Sequence, residues 1–91
     1  MIGMGTVIVE FLGIPRLRAG RTELAVEAGT ISEILAAVRR SCPNFTDLMR
    51  ADGKLAPQYA LSLNGRRFLR DLDHELVPGD KLLVLSADAG G

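Results

Sequence analysis

The two residues at the carboxyl terminus, Gly90 and Gly91, are the strongest candidates for chemistry in this sequence. Neither has a side chain, so the backbone can adopt angles closed to other residues and can pass through a narrow channel. The six residues 86–91 reach about 20 Å when extended. We predict that they form a flexible tail in which Gly90 and Ala89 permit threading, and that other proteins carry out a reaction on the free carboxylate of Gly91.

Cys42, the only cysteine, is a second candidate because a thiol can carry sulfur as a persulfide. The neighbouring Arg39 and Arg40 favour a thiolate. However, no catalytic histidine or aspartate partner is evident, and the residue precedes Pro43 at the end of a predicted helix. We therefore favour a passive, partly buried cysteine, since free cysteine usually behaves as a small apolar residue.

His74 lies between Asp73 and Glu75, three residue types that bind metals. Adjacent residues in a turn rarely converge on one ion, so we predict a solvated turn and no metal site. A basic group nearby has two interpretations, contact with an acidic patch or phosphate on a partner, or ordinary surface charge. The second is favoured because aspartates are interspersed. The group consists of Arg66, Arg67 and Arg70.

The composition limits the function classes. The 91 residues make one domain, and a hydrophobic share of 47% is typical of a globular chain. Eleven basic residues balance eleven acidic ones, which gives no electrostatic reason to expect nucleic acid or an anionic membrane. A single cysteine excludes an internal disulfide, and the first residues lack the features of a signal peptide. We expect a cytoplasmic protein.

The first half of the chain predicts two strands and two helices. Residues 6–12 and 21–27 are predicted strands, with a loop or ragged hairpin over residues 16–20. Thr30 and Glu33 form a capping box that begins a helix, and Pro43 stops it. Residues 44–50 are predicted to form a short second helix, capped by Asn44, with Phe45, Leu48 and Met49 facing inward.

The second half predicts a hairpin and a final strand. Residues 59–63 and 66–69 are strands joined by Asn64-Gly65, a strong hairpin signal. Pro78-Gly79-Asp80 is a tight turn into residues 82–85, whose unbroken apolar run is typical of a central strand.

This order of elements predicts an α+β fold of the β-grasp, or ubiquitin-like, type. One mixed sheet of four or five strands carries the main helix across one face, with the first and last strands parallel at its centre. The domain comprises residues 1–85. Its core is predicted to consist of Val7, Val9, Phe11, Leu24, Val26, Ile31, Ile34, Leu35, Val38, Leu61, Leu63, Leu82 and Val84.

The sheet face away from the helix is predicted to carry apolar side chains that dock a partner. If Lys81 faces solvent, side-chain alternation exposes further residues on that face. A monomer rarely leaves such a patch bare. If the register is inverted, the same residues belong to the core instead. The predicted docking patch consists of Ile8, Leu12, Phe68, Leu83 and Leu85.

Over nearly its whole length, the chain resembles the MoaD/ThiS family of sulfur-carrier proteins, bacterial relatives of ubiquitin. The resemblance rests on Val9-Glu10-Phe11-Leu12-Gly13, Gly29-Thr30-Ile31-Ser32-Glu33-Ile34-Leu35, Leu63-Asn64-Gly65, Leu76-Val77-Pro78-Gly79-Asp80-Lys81-Leu82 and Ala89-Gly90-Gly91. Residues Ser86-Ala87-Asp88 depart from the proline-containing tails of many MoaD-like chains, and the loop at residues 51–58 is longer than in compact ThiS-like chains.

The resemblance implies a carrier and not an enzyme, for example the small subunit of a molybdopterin-synthase-like complex. An adenylating, ubiquitin-activating-like partner uses ATP to form a Gly91 acyl-adenylate, and a sulfur donor converts it to a thiocarboxylate. The chain itself binds no cofactor. The acceptor enzyme serves molybdenum cofactor, thiamin or cysteine biosynthesis, or tRNA modification, and the departures leave the pathway open.

Other classes remain open at this point. One is a ubiquitin-like modifier attached to lysines, or a β-grasp interaction module without tail chemistry. An RNA-binding β-grasp domain is disfavoured by zero net charge and few aromatic residues. A self-contained sulfurtransferase would depend on Cys42.

Overall fold

The computed structural model describes residues 5–90, and the side chains of residues 5–88. Its elements are β1 (Thr6–Phe11), α1 (Ile14–Ala19), β2 (Glu23–Glu27), α2 (Ile31–Ser41), β3 (Tyr59–Leu63), β4 (Arg67–Leu69), β5 (Lys81–Ser86) and α3 (Ala87–Gly90). The strands form one five-stranded sheet in the order β2-β1-β5-β3-β4. No helix within residues 5–90 is long and apolar enough to cross a membrane.

The sheet is mixed, as predicted. β1 and β5 are parallel at its centre, and the other pairs are antiparallel. β1 and β5 therefore finish at the same end of the sheet, where β2 and β3 begin. We call this the tail end, because β5 continues there into α3. The opposite, or far, end contains the turn at residues 64–66 and the turn at residues 77–80.

The main helix begins at the predicted capping box. The Thr30 hydroxyl accepts a hydrogen bond from the Glu33 N–H at 3.1 Å, and the Thr30 N–H donates to the Glu33 carboxylate at 2.9 Å. The inward stripe of α2 is buried against the sheet face that carries Val7, Val9 and Phe11. Eleven of the thirteen predicted core residues are buried, whereas Leu24 and Leu63 are partly buried and pack against the core.

Two predictions were wrong, and both concern the tail end. Residues 16–20, predicted as a loop, belong mostly to α1, which has proline in its first turn and a left-handed Gly20 at its end. The predicted helix over residues 44–50 is absent: these residues form turns and a single bridge between Met49 and Leu55. Phe45 and Leu48 nevertheless face inward and are buried, as predicted.

Candidate functional site: the root of the carboxyl-terminal tail

β5 anchors the tail in the centre of the sheet. Leu82 and Val84 are fully buried and pair with neighbours on both sides, in β1 and in β3. Burying each side chain contributes about 1.5–3 kcal/mol relative to leaving it exposed. The chain that precedes the tail is therefore held rigidly.

The sheet ends at the tail root, which we define as residues 86–87. Ser86 forms the last ladder pair with Tyr59, and the Ala87 N–H donates to the Gln58 carbonyl at 2.9 Å. Beyond this bond the chain forms α3, a single helical turn that ends at Gly90. Gly91, the predicted reactive residue, lies outside the described residues, as does the side chain of Ala89, a predicted threading residue. The backbone of Gly90, the other predicted threading residue, ends α3.

A polar network holds the residues at the start of β3 to which the tail root is bonded. The Tyr59 hydroxyl donates to the Asp47 carboxylate, 2.9 Å from each oxygen, and the Gln58 side-chain amide donates to the same carboxylate at 3.3 Å. The Tyr59 ring packs edge-on against Phe45 with centroids 5.3 Å apart. The network therefore fixes residues 58–59, whose backbone holds the first residue of α3.

Burial raises the pKa of the Tyr59 hydroxyl, and the hydrogen bond to Asp47 and its negative charge raise it further. The nearby Arg18 guanidinium of α1 acts in the opposite direction and lowers this pKa, but the net shift is upward. Tyr59 is therefore a protonated hydrogen-bond donor at neutral pH, and α1 reaches the network through Arg18.

A cavity of about 800 Å³ lies beside the tail root. Its apolar wall includes Leu55, Phe68 and Leu72, and Ala87 of the tail root forms part of the lining. Lys54 and Arg70 add positive charge. A protein that binds the tail would find an open apolar recess next to it.

The sheet register agrees with the one that the sequence favoured. Val84 and its inward neighbours are buried, whereas Ile8, Leu83 and Leu85 are half-buried on the outer face, away from α2. Leu12 follows β1, is half-buried, and donates its N–H to the Val84 carbonyl at 3.0 Å.

The apolar surface of the outer face is less continuous than predicted. Glu10 pairs with Leu83 and Ile8 pairs with Lys81, and an ion pair joins the Lys81 Nζ to the Glu10 carboxylate at 3.5 Å. This ion pair lies between Ile8 and Leu83. Across β3, the buried Ser62 separates Leu83 from Phe68, which is 53% exposed.

The remaining candidate residues lie apart from the tail root. Cys42 is 2% exposed at the end of α2, so its thiol is shielded from solvent. His74 is half-buried, and its backbone carbonyl accepts the Ile31 N–H at 2.9 Å. Among residues 5–88, no group of three acidic, histidine or cysteine side chains could hold a metal. Arg66 and Arg67 are exposed at the far end, and only Arg70 approaches the cavity.

Sequence reasoning missed α1 and the Tyr59–Asp47 pair. Ile14 and Leu17 of α1 are 50% and 79% exposed, among the largest apolar exposures in the described chain. A proline in the first turn and a glycine just past the end are typical of a helix, so the pattern Ile14-Pro15 to Gly20 was a usable signal. The Tyr59–Asp47 contact spans twelve residues, and no local pattern indicates it.

Solved structures share the fold of this chain, whereas no family model and no curated protein matches it. SAMP1 from Haloferax volcanii, a small archaeal modifier protein, aligns with a TM-score of 0.81 at 21% identity, covering 96% of this chain and 100% of that one. A putative molybdopterin converting factor subunit 1 from Pyrococcus furiosus gives 0.71 at 21% identity, covering 90% and 97%.

A chain of the BexX/CysO complex from Amycolatopsis orientalis aligns with a TM-score of 0.76 at 26% identity, covering 93% of this chain and 99% of that one. These structures confirm the ubiquitin-like β-grasp fold and the resemblance to MoaD/ThiS-like proteins. The proteins that share this fold thus include a small archaeal modifier protein and a putative molybdopterin converting factor subunit.

Proposed function

We propose that the chain is a sulfur carrier that loads and delivers sulfur as a thiocarboxylate on Gly91. One observation carries the proposal: the central strand of a ubiquitin-like sheet, β5, leads directly into a short tail that ends in Gly90-Gly91. In this proposal the chain supplies a rigid domain and a reactive carboxylate, and partner enzymes carry out the catalysis.

The chemistry follows from the weakness of a carboxylate as an electrophile. With a pKa of about 3.5 the terminal carboxyl is ionised at neutral pH. An adenylating partner joins it to the α-phosphate of ATP and releases pyrophosphate. A donor with sulfur at the oxidation level of sulfide attacks the acyl carbon, the bond to the phosphate oxygen breaks, and AMP leaves. The resulting thiocarboxylate is the nucleophile that an acceptor enzyme uses.

The short helix α3 has to unwind before the carboxylate can enter a partner. Four helical residues span about 6 Å, whereas the same residues extended span about 14 Å. A single helical turn has little stability of its own, because helix nucleation is unfavourable. The fixed Ala87 amide would therefore be the hinge at which the tail begins.

The outer face of the sheet is the proposed docking patch for these partners. Leu83 and Leu85 lie on the strand that feeds the tail, so a protein bound there holds the tail in register. Phe68 adds an exposed aromatic ring beside the cavity. The Lys81–Glu10 ion pair within this face favours a partner surface with some polar character.

A second candidate function is a ubiquitin-like modifier whose Gly91 is joined to lysine side chains of other proteins. The alignment with a small archaeal modifier protein favours it. A self-contained sulfurtransferase is disfavoured, because the thiol of Cys42 is shielded in the core.

Intact mass spectrometry separates these functions after incubation with ATP, an adenylating enzyme from the same organism and a sulfide source. A carrier gains the mass difference between one sulfur and one oxygen atom. Deleting Gly91 should abolish the gain, while the Cys42→Ala control should keep it. A modifier would instead appear as large adducts on lysines. A gain that survives the deletion of Gly91 would contradict the proposal.

A further inference from the structure

The outward side of α1 is a second unpartnered surface at the tail end. Leu17 is 79% exposed and Ile14 is 50% exposed, and their spacing of three residues places them on one side of the helix. The other side of α1 is anchored, because Pro15 is buried and Ala19 packs against the core. The helix is therefore fixed in place while its largest side chains remain in solvent.

Positive charge surrounds this apolar pair. Arg16, Arg18 and Arg21 are all exposed, and the first turn of α1 contains no acidic residue. In residues 5–88, the ion pairs that form involve other cations, Arg50 and Lys81. An apolar centre with an arginine rim is the composition of a protein interface, where arginine is enriched and lysine depleted.

The position of α1 connects this surface to the tail. α1 contacts β5 as well as β1, and the Leu12 N–H ties the chain just before α1 to the Val84 carbonyl. Residues 87–91, up to the proposed reactive carboxylate of Gly91, span about 17 Å at most. A protein that encloses the carboxylate must therefore also contact the surface around the tail root, and α1 is part of that surface.

We propose that the α1 surface, comprising Ile14, Leu17, Arg16 and Arg21, docks on the adenylating enzyme at the mouth of the channel that receives the tail. Charge complementarity requires the rim of that channel to be acidic, with an apolar recess for Leu17. The arginines accelerate association, since opposite charges steer encounter, and Leu17 slows dissociation. This inference rests on the proposed function and adds the part of the chain that the activating partner recognises.

The test compares two charge-reversal pairs by the kinetics of binding to the organism's adenylating enzyme. Arg16→Glu with Arg21→Glu should slow association about tenfold at low salt and lose most of this deficit at high salt. Arg66→Glu with Arg67→Glu is the matched control, because these exposed arginines lie at the far end. It should change the association rate less than about twofold. Thermal unfolding of each variant checks that the fold is intact.

Leu17→Ser tests the apolar anchor without charge and with little risk to folding, since Leu17 is exposed. We expect dissociation to be about tenfold faster, whereas Val77→Ser, an exposed apolar control at the far end, should match the wild type. Unchanged binding of the α1 variants to an enzyme that still loads sulfur on the wild type would overturn this inference alone. A wild-type chain that neither binds nor gains sulfur would overturn the proposed function and this inference together.

Discussion

At the far end of the sheet, polar side chains are hydrogen-bonded to the adjacent turns. The Asp80 carboxylate accepts the Val77 N–H at 3.0 Å and the Asn64 side-chain N–H at 3.2 Å, and the Asn64 side-chain oxygen Oδ1 accepts the Lys81 N–H at 2.7 Å. At the tail end, the contacts join distant segments, as in the Tyr59–Asp47 pair, and Leu17 extends into solvent.

The difference indicates that the two ends of the sheet have different roles. The polar side chains of the far end form hydrogen bonds with the two turns at that end, which hold the turns together. The tail end combines a buried anchor strand, an open cavity, a helix with two exposed apolar side chains and the tail on which the reaction is proposed. We infer that recognition and loading occur at the tail end, and that substitutions at the two ends should separate function from stability.

The largest expected effect is on the threading residue. Gly90→Phe should reduce sulfur loading by at least about 100-fold, because a bulky side chain displaces the carboxylate in the partner's channel. Its stability should match that of the wild type. Val77→Phe is the control at the far end, where Val77 is already 60% exposed, and it should load normally. Equal loading by the two variants would remove the distinction between the ends.

A smaller effect is expected when hydrogen bonds at the far end are removed. Asp80→Ala removes the acceptor for the Val77 N–H and for Asn64, and should lower the free energy of unfolding by about 1–2 kcal/mol. Urea denaturation measures this loss. The rate of sulfur loading per folded molecule should be unchanged. A loading defect larger than the loss of folded protein would show that the far end takes part in function.

The corresponding change at the tail end is Tyr59→Phe, which removes the bonds to Asp47 but keeps the ring against Phe45. We expect a loss of about 1 kcal/mol in the free energy of unfolding. The distinguishing readout is local: hydrogen exchange of the Ala87 amide should accelerate more than that of amides in β1. Uniform acceleration would indicate a purely global effect.

The smallest effect is a dependence of stability on alkaline pH. The folded state raises the pKa of Tyr59 above its ordinary value, chiefly through burial. The folded chain therefore binds the phenolic proton more tightly than the unfolded chain. Tyr59 contributes stability below its ordinary pKa of about 10, and this contribution is lost as the pH rises through the folded-state value.

Urea denaturation from about pH 9 to about pH 11 should show this loss in the wild type beyond that in Tyr59→Phe, which shares every other titrating group. Parallel pH profiles for the two proteins would contradict the assignment to Tyr59.

The sequence predicts the far end well, because the signals there are local. Asn64-Gly65 forms the expected turn, with φ of 55° and 72°. Pro78-Gly79 likewise leads into β5 at the predicted position. The capping box at Thr30 is equally local, and it begins α2 where expected.

The tail end was predicted less well, because non-local bonds decide its structure. In residues 44–50, the Leu48 carbonyl accepts the Ala56 N–H and the Arg50 N–H donates to the Lys54 carbonyl, so these backbone groups bond across a loop and not along a helix. The outer face was placed correctly from side-chain alternation. The ion pair within it depends on how β1 aligns with β5, which no pattern in either strand specifies.

The most direct test of the central claim locates the sulfur atom after loading. The protein is incubated with ATP, the adenylating enzyme and a sulfide source, and its carboxyl-terminal peptide is analysed by tandem mass spectrometry. The account predicts that the added mass lies on Gly91 and that the peptide containing Cys42 is unmodified. Sulfur on Cys42, with Gly91 unchanged, would contradict the account.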